Sequence, residues 1–115
     1  MRTIGNTPVD GEVRAVASGA LPNGDPVVVN ADGTVSVVGG GNLTSENYIG
    51  IAKGAAADGT SAVVQTGCSI NDAQSGLTAG QDYYVQTDGT LGLTAADPSV
   101  FAGTAVSATK LIVKG

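Results

Sequence analysis

The sequence predicts an all-β fold, a small antiparallel β-barrel or sandwich built from two similar double-hairpin half-units, with an extended N-terminal arm. Three observations predict it. Short runs of β-branched residues are punctuated by Gly and Asp, and no segment holds a helical period over a dozen positions. Asp-Gly pairs stand at Asp10-Gly11, Asp32-Gly33, Asp58-Gly59 and Asp88-Gly89, three of them between apolar runs, and Gly supplies the positive φ that tight hairpin loops require. One phrase is also stated twice, "VVVNADGTVSV" at 27–37 and "YYVQTDGTLGL" at 83–93, 56 positions apart.

Taken in order, residues 1–11 are polar, contain Pro8 and show no alternation, so they read as an extended arm. Met1, Arg2, Thr3 and Ile4 are its candidate contact residues; a frayed terminus and an arm that grips a neighbour fit the sequence equally. A single β domain follows over 12–115. Its strand candidates are 12–17, 26–30, 34–38, 48–54, 61–66, 82–86, 90–93, 100–106 and 110–113. Pro26 opens its strand and Pro98 precedes the eighth, positions where a missing N–H costs little. Gly39, Gly40, Gly41 and Asn42 read as a flexible connector, and Thr44-Ser45-Glu46 forms at most one helical turn.

The duplication divides the domain into half-units of about 18–67 and 75–115. A shift of 56 sets Leu21 on Leu77, Gly24 on Gly80, Val29 on Val85 and the triplet Asp32-Gly33-Thr34 on Asp88-Gly89-Thr90. Val35 and Val37 then meet Leu91 and Leu93; further on, 48–52 resembles 101–105, and Val63-Val64 resembles Leu111-Ile112. A lone hairpin has an apolar face and nothing to bury it against. Two such halves are therefore expected to cover one another's apolar faces and reduce their free edges.

Leu, Ile, Val and Phe together exceed the roughly 20% level below which a chain stays disordered, so this one folds. Its core is Val- and Ala-rich, with one Phe, three Tyr and no Trp. Each buried side chain then contributes at the low end of about 1.5–3 kcal/mol, and subunit contacts are expected to add to that. Ten acids against five bases give a net charge of −5, which disfavours nucleic acid and anionic lipid as partners. The start lacks the apolar stretch of a signal peptide and no apolar run approaches the roughly 18 residues of a membrane span, so a soluble chain is expected. The Asn42-Leu43-Thr44 sequon is then incidental.

Chemistry-bearing patterns are sparse. There is no histidine, which removes the commonest general base and metal ligand and excludes Ser/His and Cys/His nucleophiles. Most acids, among them Asp25, Asp32, Asp58, Asp72, Asp88 and Asp97, fall at turns or connectors, where turn chemistry explains them. Asn30-x-Asp32-Gly33 matches part of a calcium-loop pattern but lacks its closing Glu, leaving only a loose Ca²⁺ site between subunits as an alternative. "VVGGGNLTSE" lacks the Lys-Ser/Thr of a phosphate loop. Cys68 reads as a small buried apolar residue. No catalytic residue, cofactor or metal is expected. Tyr83 and Tyr84 point to opposite faces of their strand, one ring to the core and one outward, where it stacks on a sugar or sits in a subunit interface.

The run "SGLTAGQDYYVQTDGTLGLTAADPSVFAGTAVSATKLIVKG", from Ser75 to Gly115, resembles a segment that recurs in structural proteins of tailed bacteriophages. There the phrases "GLTAG-x-x-YYV", "x-DGTL" and a terminal "G-x-A-x-S-x-T-x-L-x-(I/V)-K-G" follow in this order. "SGALPNGDPVVVNADGTVSVV" and "ENYIGIAKGAAADGTSAVVQTG" look like the segment that precedes it, so the resemblance covers about Ser18 to Gly115. It implies a virion component, either a head-decoration (cement) protein or a β-rich module of a tail or fibre protein. Decoration proteins of this kind are small, mostly β, and commonly trimeric on the capsid surface. The bare 115-residue length favours the cement reading. The resemblance thus implies the major capsid protein as partner, a homo-oligomer with a trimer favoured, and location on the virion. It carries over no catalytic residue.

Overall fold

The computed structural model describes residues 12–44, 46–67 and 69–113. The arm with Met1, Arg2, Thr3 and Ile4, the Asp10-Gly11 turn and Cys68 lie outside the described residues. Among those described there are ten strands and no helix: β1 (Glu12–Val16), β2 (Pro26–Val29), β3 (Val35–Val37), β4 (Tyr48–Ala52), β5 (Ser61–Gln65), β6 (Ile70–Asn71), β7 (Asp82–Val85), β8 (Leu91–Gly92), β9 (Phe101–Ala105) and β10 (Leu111–Val113). Every strand expected from the sequence is present. The two-residue β6 is additional.

The strands form two antiparallel sheets of five, ordered β1-β5-β4-β2-β3 and β6-β10-β9-β7-β8. These are one order written twice, so the duplication reaches a fifth strand in each half-unit, β1 in the first and β6 in the second. The result is a sandwich of two sheets. The first sheet curls until Ala17, just past β1, bridges Val35 of β3 in parallel, its neighbour Ser18 donating to the Val35 carbonyl at 2.7 Å.

The repeated phrase builds the same loop in both halves. Asn30 N–H donates to the Thr34 carbonyl (2.7 Å) and Gly33 N–H to the Asn30 carbonyl (3.0 Å); Gln86, Thr90 and Gly89 repeat the pattern at 2.8 and 3.0 Å. These are three-residue loops in which the glycine, at φ +86° and +90°, takes the left-handed position. The aspartate before it has a separate task. Asp32 Oδ1 accepts from the Thr34 hydroxyl (2.6 Å) and N–H (3.1 Å), and Asp88 Oδ1 accepts from the Thr90 hydroxyl (2.7 Å) and N–H (3.1 Å).

Beyond the loops the halves share their backbone bonding. Leu21 donates to Ala56 as Leu77 does to Ala108, and Gly24 to Ala52 as Gly80 does to Ala105. β2 meets β4, and β7 meets β9, across a bulge at the same place, where Ile49 and Ala102 are left without a partner. One correspondence differs from the sequence reading. Lys53 N–H bonds the Val63 carbonyl and Val106 N–H the Lys110 carbonyl, both at 2.9 Å, so Val64 matches Leu111 rather than Val63 matching it. Side chains alternate along a strand, and a one-residue slip would have put buried Val64 on half-exposed Ile112.

The packing of the halves also corrects the sequence reading. The inward side of the first sheet, with Val27, Val35, Ala52, Ala62 and Val64, is filled from within its own half by Ala17 and Leu21. Its outward side, Val28 and Ile51 together with Val38 and Leu43, packs on the inward side of the second sheet, Tyr83, Val85, Ala102, Ala105, Leu111 and Val113. The halves therefore do not cover one another reciprocally. The central strands of the first sheet, β2 and β4, are buried on both sides, and the second sheet on one. The 39–42 connector is tied down as well: Gly39 N–H donates to Asn42 Oδ1, Asn42 Nδ2 to the Val37 carbonyl and Asn47 Nδ2 to the Asn42 carbonyl, which sets Leu43 into the inter-sheet core.

Candidate interaction surface

Asp32, Asp58 and Asp88 accept from backbone N–H groups, and Asp82 and Glu12 from neighbouring side chains. Hydrogen bonds from Thr34 and Thr90 keep the Asp32 and Asp88 carboxyls below the usual aspartate range. Asp58 Oδ1 accepts from Gly19 N–H (2.8 Å), Asp82 Oδ1 from the Thr104 hydroxyl (2.8 Å), and Glu12 pairs with Lys53. Asp25, partly buried at the mouth of a cleft of about 320 Å³ between the half-units, has its carboxyl pushed up by desolvation. The same cleft is lined by Gln74, Asp88 and Thr90. Among the described residues no three His, Cys, Asp or Glu side chains gather around a common point.

A polar seam joins the half-units. Asn71, 1% exposed, donates from Nδ2 to Gln65 Oε1 (2.7 Å) and to the Ala52 carbonyl (3.4 Å). Its Oδ1 accepts from Ala73 N–H and Gln74 Nε2, both at 3.0 Å. Gln65 Nε2 donates to the Ile70 carbonyl (2.8 Å) and Gln74 Nε2 to the Gly24 carbonyl (2.7 Å). Buried polar groups that all find partners fix one register rather than merely adding stability.

The two tyrosines divide as alternation requires. Tyr83 is buried, and its hydroxyl accepts from Thr78 N–H at 2.8 Å. Tyr84 lies on the outward side, half-buried, tilted against Phe101 with ring centroids 5.7 Å apart. Strand register puts further side chains on that side: a row Ile70, Ile112, Thr104, Asp82 crosses four strands, beside the Tyr84–Phe101 pair. Ile70 and Phe101 are 51% and 38% exposed. The sequence reading singled out Tyr84 but not Ile70, Phe101 or Ile112. The available signal was the period of two, which puts Phe101 and Ile112 out of phase with their apolar neighbours.

At the other end of the molecule, Val13, Val29, Tyr48, Ile49, Thr66 and Gly67 line an apolar groove of about 510 Å³. It is the open mouth of the first sheet's inward side, since Val13 pairs with Val64 and Val29 with Val35. Tyr48 forms its rim; burial pushes that phenol well above its ordinary pKa, so it stays neutral. The candidate surfaces thus comprise one apolar groove and one mixed aromatic and aliphatic sheet face. Among the described residues that form them, neither sets a nucleophile beside a base. In comparisons with known proteins the chain matches no family model and no curated sequence.

Proposed function

We propose that the chain is a bacteriophage head-decoration (cement) protein, a non-catalytic homo-oligomer that binds the outer capsid surface through the major capsid protein and stabilises the head against packaged DNA. The observation that carries this reading is the use of the polar side chains: Asp32, Asp58, Asp82, Asp88, Gln65 and Asn71 are bonded into turns, ladders and the seam, while Val13, Ile70 and Phe101 stand exposed on the groove and the open sheet face. That is the economy of a scaffold that docks. The phage-like phrases over Ser18 to Gly115 support a phage head as the particle. Repeated copies around a symmetric shell would multiply weak contacts into firm attachment, with a trimer as the favoured oligomer.

The Tyr84–Phe101 pair favours one alternative, a tail or fibre module that adheres to a host surface through aromatic stacking on sugars. The two readings separate when purified protein is mixed with phage heads stripped of accessory proteins and, in parallel, with host cells. Stoichiometric binding to heads with a raised disruption temperature supports the cement reading. Retention by cells alone supports adhesion and overturns it.

A further inference from the structure

The contact between the half-units is one-directional, and counterparts of both surfaces that make it recur on the molecule without a partner among the described residues. Inside the chain, the outward side of the first sheet (Pro26, Val28, Tyr48, Ile51, Gln65) meets the inward side of the second. The register equates these residues with Asp82, Tyr84, Phe101, Thr104 and Ile112 on the second sheet's outward side, which nothing in the chain's described residues covers. It also equates the groove residues Val13, Val29, Ile49 and Thr66 with Asn71, Val85, Ala102 and Val113. Of these, the last three are 0% exposed and Asn71 1%, because the first sheet lies over them. Among its described residues the chain thus carries one completed contact and, left open, the outer face and the groove mouth from which another could be made.

We infer that a second copy of this chain completes the series: the Tyr84–Phe101 face of one copy seats over the Val13–Val29–Ile49 groove of the next, repeating between molecules the contact made within each. Such a contact joins two different surfaces, so it generates a closed ring or an open filament rather than a two-fold dimer. Where the internal contact has Pro26 and Ile51, the external face has the hydrogen-bonded pair Asp82 and Thr104. Those polar groups tolerate water, as a surface that separates from its partner must. The remaining apolar side chains, Tyr84, Phe101, Ile112 and Ile70, supply the attraction. The inference concerns self-association alone and stands or falls independently of capsid binding.

The test measures mass against concentration by sedimentation for the full chain and for V13K and F101E, whose parent side chains are 42% and 38% exposed. Circular dichroism and thermal melts establish that each variant keeps its fold. The wild type is expected to associate, and each variant alone to raise the dissociation midpoint by roughly tenfold or more. Mixing the two is expected to yield a one-to-one heterodimer, since one supplies an intact face and the other an intact groove, but mutually exclusive damage. A wild type that stays monomeric to millimolar concentration overturns the inference. So does an assembly that one of the two variants breaks and the other leaves intact, which would signify pairing of like surfaces.

Discussion

Gly50 and Gly103 occupy the same point of their half-units, each beside a bulge and each so close to the next strand that a Cβ would collide with a carbonyl oxygen, that of Gln65 for the first and Ile112 for the second. Backbone oxygens cannot swing aside as a flexible side chain does. Ala at either position is expected to cost about 2–4 kcal/mol through displacement of the neighbouring strand. Gly39, with open space around its Cβ position, is the control: Gly39→Ala should change stability by no more than about 0.5 kcal/mol. Urea unfolding of the three variants measures the contrast.

Ile51 and Thr104 are equivalent positions with opposite surroundings, one sealed between the sheets and one on the open face. Ile51→Ala is expected to destabilise by about 2–5 kcal/mol, the range for a cavity in a packed core. Thr104→Ala loses one exposed hydrogen bond to Asp82 and should cost about 1 kcal/mol or less. Equal losses at the two sites would contradict the one-directional packing of the halves.

The seam gives a third prediction. Asn71→Ala strands the Gln65 carboxamide oxygen and leaves the Gln74 amide one acceptor short, for an expected loss of about 2–4 kcal/mol. A double-mutant cycle with Gln65→Ala should show a coupling of at least about 0.5 kcal/mol, read from chemical denaturation of the four proteins.

Acid sensitivity follows from the two loops. Folded-state carboxyls held below their unfolded pKa stabilise the protein above that unfolded value, and the stabilisation is lost as pH falls through the folded pKa. Asp32 and Asp88 therefore favour folding at neutral pH and release that contribution in acid. Thr34→Val should return Asp32 towards the ordinary aspartate range and leave Asp88 unmoved, with Thr90→Val doing the reverse; carboxyl carbon shifts followed by NMR across the acid range decide it. Asp25 has the opposite sign. Its carboxyl is raised by burial, so it disfavours the folded state once ionised, and Asp25→Asn should stabilise slightly at neutral pH and have no effect in strong acid.

Much of this architecture was written in residue order. Alternation, Asp-Gly punctuation and the repeated phrase located nine strands, the two-residue β8 among them because it follows the Asp88-Gly89 loop in the second copy of that phrase. The equally short β6 escaped because no Asp-Gly turn or repeated phrase flanks it; Ile70 and Asn71 are recognisable only by their partners Ile112 and Leu111. The slip between Val63 and Val64 arose because neighbouring valines offer no contrast between faces. The unequal burial of the sheets was legible in retrospect: β2 reads Pro-Val-Val-Val, apolar on both sides, and its twin β7 reads Asp-Tyr-Tyr-Val, with a charge on the side that stays open. The interaction surface was half legible, Tyr84 by its alternation and Phe101 only through the register that brings it alongside.

The bulges explain why two like pieces of chain did not settle into a symmetrical clasp. Each bends its ribbon in the same sense, giving it a bowl and a back, and like spoons such shapes stack bowl over back and leave a gap when held bowl to bowl. A stack of two spoons shows one back at the top and one bowl at the bottom, as this chain does with its open sheet face and its groove.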